Sequence, residues 1–322
     1  MGDTRDESAE DLRRTPLIID TDIGGDADDA LAVAVAARCV PDLALLLTTD
    51  ETGPEYGPGQ RARFARHLLD GIGRHEVPVV AGACLGKTRY YCVDGLVPAA
   101  VPAQKTDAVG AVRAVAAAHP GPIRWVGMGP LTNLARVLVE APEVAARLRV
   151  TQMGGALRYR DPERAEHNFR LDVPAVHEVF AAVAEGRLPT PEFVTSEITF
   201  VPDIKVTPDH PVRRRLAAPD APPWAHLLHA HLDRWFAGSG PLRIPGTLQH
   251  DGLTLSAALR LPYVDSRPMP LSVDAIGRTT RTPEGSEGTV VRVSVAARYA
   301  AFMTWLETTL DPAATPSGPF LP

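Results

Sequence analysis

Cysteine is scarce in this chain of 322 residues: Cys39, Cys84 and Cys92 form neither an even disulfide framework nor a metal-binding spacing. A reduced, cytoplasmic environment fits them best. Lysine is equally scarce, limited to Lys87, Lys105 and Lys205, a compositional bias to which no function is attached. No run of basic residues occurs and the net charge is −6, which argues against nucleic-acid binding. Long apolar runs are missing too. Met1 to Arg14 is polar and charged, so neither a signal peptide nor a membrane span is expected there. Residues 1–15 read as a disordered lead-in and residues 312–322, with their Pro, Ala, Thr and Ser, as a flexible tail. No internal repeat or compositional break marks a second domain, so residues 16–311 are expected to form one. The chain is 45% hydrophobic and 22% charged, enough for a sizeable soluble core.

The most informative stretch runs from Pro16 to Leu31. An apolar run, Leu17-Ile18-Ile19, leads straight into Asp20, Asp22, Asp26, Asp28 and Asp29. The run reads as a short buried strand. Gly24 and Gly25 read as a tight turn in which the backbone can adopt positive φ. Ala30 to Ala37 is rich in helix formers, so a helix is expected to begin near Asp28. The acids therefore sit between the carboxyl end of a strand and the start of a helix, where ligands bind in open α/β sheets. Helix capping accounts for one or two such acids. Five so close together repel one another unless a cation or protons neutralise them. All-oxygen clusters suit Ca²⁺ or Mg²⁺, and an aspartate beside such an ion can act as general base on a water.

Strand and helix patterns then alternate. Strands are expected at Leu43–Thr49, Val77–Gly82, Ile123–Gly127, Leu148–Met153 and Glu192–Ser196. Helices are expected at Arg61–Leu69, Asp107–His119, Leu131–Val139 and Val173–Glu185. The alternation predicts an α/β fold: an open, mostly parallel, Rossmann-like sheet with helices on both faces and extra helices in the C-terminal third. Beyond Thr199 the rhythm breaks. Pro208 to Phe236 carries helical patches in which His229 and His231, two apart, do not share a helix face and read as surface and core residues rather than metal ligands. A helix over Leu253–Leu259, a strand at Val291–Val295 and a helix over Ala296–Leu310 complete the expectation.

Three further motifs stand out. Gly129-Pro-Leu-Thr132-Asn133 is a strand-to-helix turn in which Thr132 reads, unaided, as a plain cap. Met153-Gly154-Gly155 precedes Glu166-His167-Asn168, a pair of polar side chains able to accept from and donate to sugar hydroxyls. His250-Asp251 opens a helix after a Gly/Pro-rich loop. Together with Asp20-Thr-Asp22-Ile-Gly24 and Asp28-Asp29-Ala30, these residues resemble the signatures of the inosine-uridine-type nucleoside hydrolases, from about Pro16 to Leu310.

The resemblance implies a calcium-dependent hydrolase that cleaves a small-molecule ribonucleoside into base and ribose, with a homo-oligomeric dimer or tetramer as the common assembly. It implies Ca²⁺ held by Asp22, Asp29, the Thr132 carbonyl and Asp251. Asp22 would be the general base, and either His250, with an ordinary pKa of ~6.5, or the solvent would be the proton donor to the base. Asp28, Met153, Glu166 and Asn168 would contact substrate, with Asp20 and Asp26 in support. The acidic loop is two residues longer than the common form, so either Asp26 or Asp28 takes the first paired role. Asp28 is preferred because it keeps the adjacent pair intact.

The chain also departs from that pattern. The asparagine expected after Thr48-Thr49 is replaced by Asp50-Glu51, either of which could stand in for it. Arg160 occupies a position where asparagine is common; it is either part of a solvated charged loop or a contact for an anionic substituent such as a carboxylate or 5′-phosphate. Two other readings remain. One is a nucleoside binder without turnover. The other is a phosphatase of the haloacid-dehalogenase type with Asp20 as nucleophile, although Gly24 stands where that family has threonine. An EF-hand is excluded because its twelfth position falls on Leu31.

Overall fold

The computed structural model describes residues 15–315 apart from 53–55, 58, 87–89, 240–245 and 284–286. Residues 1–14 of the expected lead-in, 316–322 of the expected tail, and Lys87 lie outside the described residues. The chain begins with β1 (Leu17–Thr21) and α1 (Asp28–Cys39), then β2 (Leu43–Thr48), α2 (Gln60–Ile72), β3 (Val79–Ala81) and α3 (Ala108–Ala118). It continues through β4 (Ile123–Gly127), α4 (Thr132–Glu140), α5 (Pro142–Ala145), β5 (Leu148–Met153), α6 (His167–Leu171), α7 (Val173–Ala184) and β6 (Glu192–Val194). The last third holds α8 (Ser196–Thr199), β7 (Lys205–Val206), α9 (Pro211–Leu216), α10 (Pro223–Arg234), β8 (Thr247–Leu248) and α11 (His250–Ala258). β9 (Val264–Val273), β10 (Thr279–Arg281), β11 (Thr289–Ala297) and α12 (Tyr299–Thr309) close the chain.

Nine strands form one sheet in the order β10-β9-β11-β6-β5-β4-β1-β2-β3. From β3 across to β11 all neighbours are parallel; β9 and β10 fold back antiparallel at one edge. The chain builds outward from β1 to β3 and then returns to the other flank of β1 with β4. That reversal opens a crevice at the carboxyl ends of β1 and β4, the usual ligand position in such sheets. Side chains alternate across the sheet. Leu17 and Ile19 face a core shared with α1, α2, α10, α11 and α12, whereas Ile18 faces one shared with α3, α4 and α7.

α1 is buried on every side except at Arg38, and α11 is buried from Asp251 to Ala258. Helices with no polar face belong at the centre of a protein, and both start at the crevice.

Several boundaries differ from the sequence expectation. α11 starts at His250 rather than Leu253. The last helix starts at Tyr299, because Ala296 and Ala297 extend β11 opposite Asp265 and Val264. β9 and β10 had no counterpart in the expectation: Pro268 and Pro270 lie inside β9 and mask its strand pattern. Among the described residues no helix is long and apolar enough to cross a membrane.

Candidate active site

The crevice deepens into a cavity of about 930 Å³ whose floor carries Asp22, Asp26, Asp28, Asp29, Asp50 and Asp251. Asp28 and Asp29 occupy the first turn of α1, and Asp251 the first turn of α11. The two helix starts converge, and the Asp251 N–H donates to Asp28 Oδ2 at 3.4 Å. Helix N-termini favour negative charge. Burial opposes it: Asp28, Asp29 and Asp251 are each pushed well above the ordinary carboxylate range, first by loss of water and then by the charges of neighbouring aspartates, Asp22 among them in every case. Burial also raises Asp22, and raises Asp26 to about 7. Oxygens of Asp28, Asp29 and Asp251 can all lie within 4.8 Å of one another. Three buried carboxylates with oxygens this close, only partly offset by the charge of the buried Arg61, fit a hard divalent cation. Asp22 lines the same cavity and lies against Asp29, whose Oδ1 accepts from the Thr21 hydroxyl.

Asp20 and Thr132 lie behind the cavity lining. Asp20 Oδ1 accepts from Thr49 Oγ1 at 2.6 Å and Asn133 Nδ2 at 2.9 Å; burial raises its pKa to about 7. This interior position does not suit a phosphatase nucleophile. Thr132 opens α4 and donates its hydroxyl to Asp172 Oδ2 at 2.6 Å. The preceding turn passes so near the floor that a Cβ on Gly129 would lie 3.1 Å from the Asp22 nitrogen.

Three residues with no assigned sequence role hold the floor together. Asn133 Nδ2 lies 2.9 Å from the Thr48 carbonyl and 2.7 Å from Thr49 Oγ1, while its Oδ1 accepts from the Ala83 N–H at 2.9 Å. Asn133 thus joins the ends of β1, β2 and β3. The buried Arg61 donates to the carbonyls of Asp22, Ile23 (2.9 Å), Asp50 (2.7 Å) and Tyr90 (3.1 Å). His231 on α10 donates from Nε2 to the Gly25 carbonyl at 3.1 Å. Burial lowers the His231 pKa to about 4, leaving it neutral. The turn it holds is confined: Gly24 has φ of 104°, and a Cβ on Gly25 would meet the Tyr90 carbonyl at 3.0 Å.

One part of the lining is polar. Glu166 caps α6: its Oε2 faces the N–H groups of Gly155, Asn168 and Phe169 at 3.1–3.3 Å, and burial still raises its pKa to about 7. Asn168 donates Nδ2 to the carbonyls of Met128 (2.7 Å) and Met153 (3.1 Å). Met153 lines the cavity beside them. Of the two residues that replace the expected asparagine, Asp50 lines the cavity, in a left-handed backbone conformation with φ of 52°. Glu51 instead turns inward to the Thr48 hydroxyl and the Arg61 N–H.

Another part of the lining is aromatic. His250 stacks on Phe200 with ring centroids 5.9 Å apart, and Tyr90 meets Trp235 edge-on at 6.1 Å. Burial, with Arg160 and His167 nearby, lowers the His250 pKa to about 3. The ordinary value expected from sequence does not hold: the resting ring is neutral near pH 7, because a buried cation would lose its hydration. Arg160 also lines the cavity, its guanidinium lying over Phe200 at 3.2 Å from the ring centroid.

The family model for "inosine-uridine preferring nucleoside hydrolase" matches residues 17–304. Among curated relatives, the non-specific ribonucleoside hydrolase RihC of Shigella flexneri is 28% identical over 286 residues, covering 83% of this chain and 86% of that protein. The pyrimidine-specific ribonucleoside hydrolase RihA of Salmonella arizonae is 30% identical over 186 residues, 50% of this chain; the match spans 58% of that relative's length. In fold, the purine-preferring ribonucleoside hydrolase from Gardnerella vaginalis superposes with a TM-score of 0.75 at 20% identity, covering 94% of this chain and 99% of that one. On the extent of the family match, the chain belongs to the inosine-uridine preferring nucleoside hydrolase family.

Proposed function

We propose that this chain hydrolyses the N-glycosidic bond of a ribonucleoside or close analogue, in a calcium-dependent reaction that releases free base and ribose. The observation that supports it most is the convergence of Asp28, Asp29 and Asp251 on the floor of a cavity walled by Glu166 and Asn168. Ca²⁺ is the proposed cofactor, with Asp22, Asp29, the Thr132 carbonyl and Asp251 as its proposed ligands and Asp28 within the same oxygen cluster. When bound, it would supply positive charge that acidifies a water and orients the ribose 2′ and 3′ hydroxyls.

Asp22 accepts the proton of the attacking water, whose oxygen bonds to C1′ as the C1′–N bond breaks. Asp28 accepts a hydrogen bond from a ribose hydroxyl. Asp20 and Asp26 support the cluster from behind and beside it. Glu166 has Oε1 left for the sugar once Oε2 has taken its backbone donors, and Asn168 has Oδ1 left once its amide has done the same. Met153 packs against the sugar. Held at several hydroxyls, the ribose is guided toward the oxocarbenium-like state that glycoside hydrolysis requires. His250, a neutral ring, offers one N–H as a hydrogen bond to the departing base, which takes its proton from solvent while Asp22 passes the proton of the attacking water back to solvent. A reduced cytoplasm is the proposed location, in keeping with the scarcity of cysteine.

The test is base release from a panel of purine and pyrimidine ribonucleosides, with calcium and after exhaustive chelation. Release that requires calcium, and that falls by about a thousandfold or more in Asp22→Asn, is the expected result. Calcium-loaded protein that binds ribonucleosides but releases no base overturns it in favour of a binder.

A further inference from the structure

The mouth of the cavity carries charge opposite to its floor. Arg158, Arg160, Arg164, Arg170 and Lys205 line it, against the carboxyls of Asp161 and Glu166. The loop bearing the first two arginines is firmly built. The N–H groups of Leu157 and Arg158 both donate to Glu197 Oε1 at 2.7 Å. The Tyr159 hydroxyl accepts from the Thr279 N–H at 2.5 Å, and Thr279 Oγ1 donates to the Ala156 carbonyl at 2.8 Å. Arg158 and Arg160 are thereby fixed on the cavity wall, and among the described residues neither enters an ion pair. A guanidinium lying flat on a ring, as Arg160 lies on Phe200, keeps its N–H edges available for paired oxygens. Lys205, on β7, faces the same space from another element.

The rest of a bound nucleoside is already accommodated. On the reading proposed above, the 2′ and 3′ hydroxyls meet the acidic floor and the base meets His250, Tyr90 and Trp235, while Phe200 carries Arg160. The 5′ carbon is the position left to face the mouth. We propose that Arg158 and Arg160, with Lys205 opposite, bind a phosphate on that carbon, so that the substrate class is the ribonucleoside 5′-phosphates. Water adds across C1′–N: its oxygen bonds to C1′, the base leaves with a proton from solvent, and the products are free base and ribose 5-phosphate. A phosphate of nearly two negative charges matches Arg158, Arg160 and Lys205, whereas a neutral ribonucleoside brings no charge to meet them.

The inference rests on the hydrolase reading, and two measurements separate their failures. The first compares kcat/KM for ribonucleosides and their 5′-monophosphates in the wild type, in Arg158→Ala/Arg160→Ala and in Arg160→Lys. The expected wild-type preference for the monophosphate falls about ten- to a hundredfold in the double variant, the weight of one or two charge-assisted hydrogen bonds, and survives in part in Arg160→Lys. Equal or better use of the plain nucleoside, with a ratio that the double variant leaves unmoved, overturns the inference and leaves the hydrolase standing. The second is calorimetric binding of ribose 5-phosphate against ribose in calcium-loaded protein. If no base is released from any compound, tighter binding of ribose 5-phosphate that the double variant abolishes supports the phosphate site while the hydrolase reading falls. Equal binding of both sugars overturns the phosphate site.

Discussion

Asn133→Ala tests whether the ends of β1, β2 and β3 are held by one side chain. Asn133 is 1% exposed. Its amide nitrogen is shared among Asp20 Oδ1, the Thr48 carbonyl and Thr49 Oγ1, and its oxygen is the acceptor for the Ala83 N–H. Truncation does not affect all four alike. The Thr48 carbonyl keeps the Gly82 N–H at 2.9 Å, and Asp20 Oδ1 keeps the Thr49 hydroxyl. The Ala83 N–H loses its acceptor and the Asp20 carboxyl loses one of two side-chain donors. An orphaned buried donor costs about 1–3 kcal/mol and a lost bond to a carboxylate a similar amount. Water entering the vacated space recovers part, so the expected loss is about 2–4 kcal/mol, read as a lower urea midpoint at unchanged slope. In a thermal scan of a domain this size the fall in Tm is about 3–6 °C. Gly82 shows how tightly the position is packed: a Cβ there would fall 2.3 Å from Asn133 Nδ2. Asn133→Ala with a midpoint within experimental error of the wild type would refute the assignment.

Two other predictions concern charge. Calcium at about a hundred times its Kd raises stability by about 2.7 kcal/mol through linkage, and chelation reverses the rise; Asp251→Asn loses most of the Tm response, and a wild type whose Tm ignores both calcium and chelator sinks the cation site. Glu166 supplies a pH signature, because burial raises its pKa from an ordinary 4.5 to about 7. Between those values the folded state holds the extra proton, so the stability from this group is complete at low pH and is lost as pH rises through about 7. In calcium-loaded protein, Glu166→Gln narrows the gap between the urea midpoints at pH 5 and pH 8. An unchanged gap contradicts the raised pKa.

The central part of the fold was legible because local signals agree there. Leu17-Ile18-Ile19, the glycine pair and the alanine-rich run each favour the element they form, and the acids mark the turn. The same holds for Thr132 at the start of α4 and Asp251 at the start of α11. Legibility failed where a role depends on a distant partner. Arg61 reads as an ordinary helix arginine, and only the folded chain shows it on the carbonyls of Asp22 and Tyr90. His231 and His229 read together as core and surface residues, and nothing local shows that His231 bonds to Gly25, 206 positions away. Asp50 and Glu51 are alike in sequence; the left-handed backbone at Asp50 separates them, one to the cavity and one to the interior. The neutral state of His250 is invisible without knowing its burial. β9 was missed because prolines at 268 and 270 contradict the local strand pattern, which pairing with β11 on one side and β10 on the other overrides.

The meeting of α1 and α11 also sets a timetable for biosynthesis. Asp28 leaves the ribosome first, and Asp251 follows 223 residues later. At elongation speeds of about 5–20 residues per second, that interval lasts about 10–45 s. Throughout it the nascent chain carries four of the six floor acids on the β1–α1 segment, with neither Asp251 nor α11 yet made to cover them. α1, buried in the folded chain everywhere except at Arg38, is not fully sheathed until α11 emerges. A nascent chain of this design must keep an apolar helix soluble for the whole of that interval.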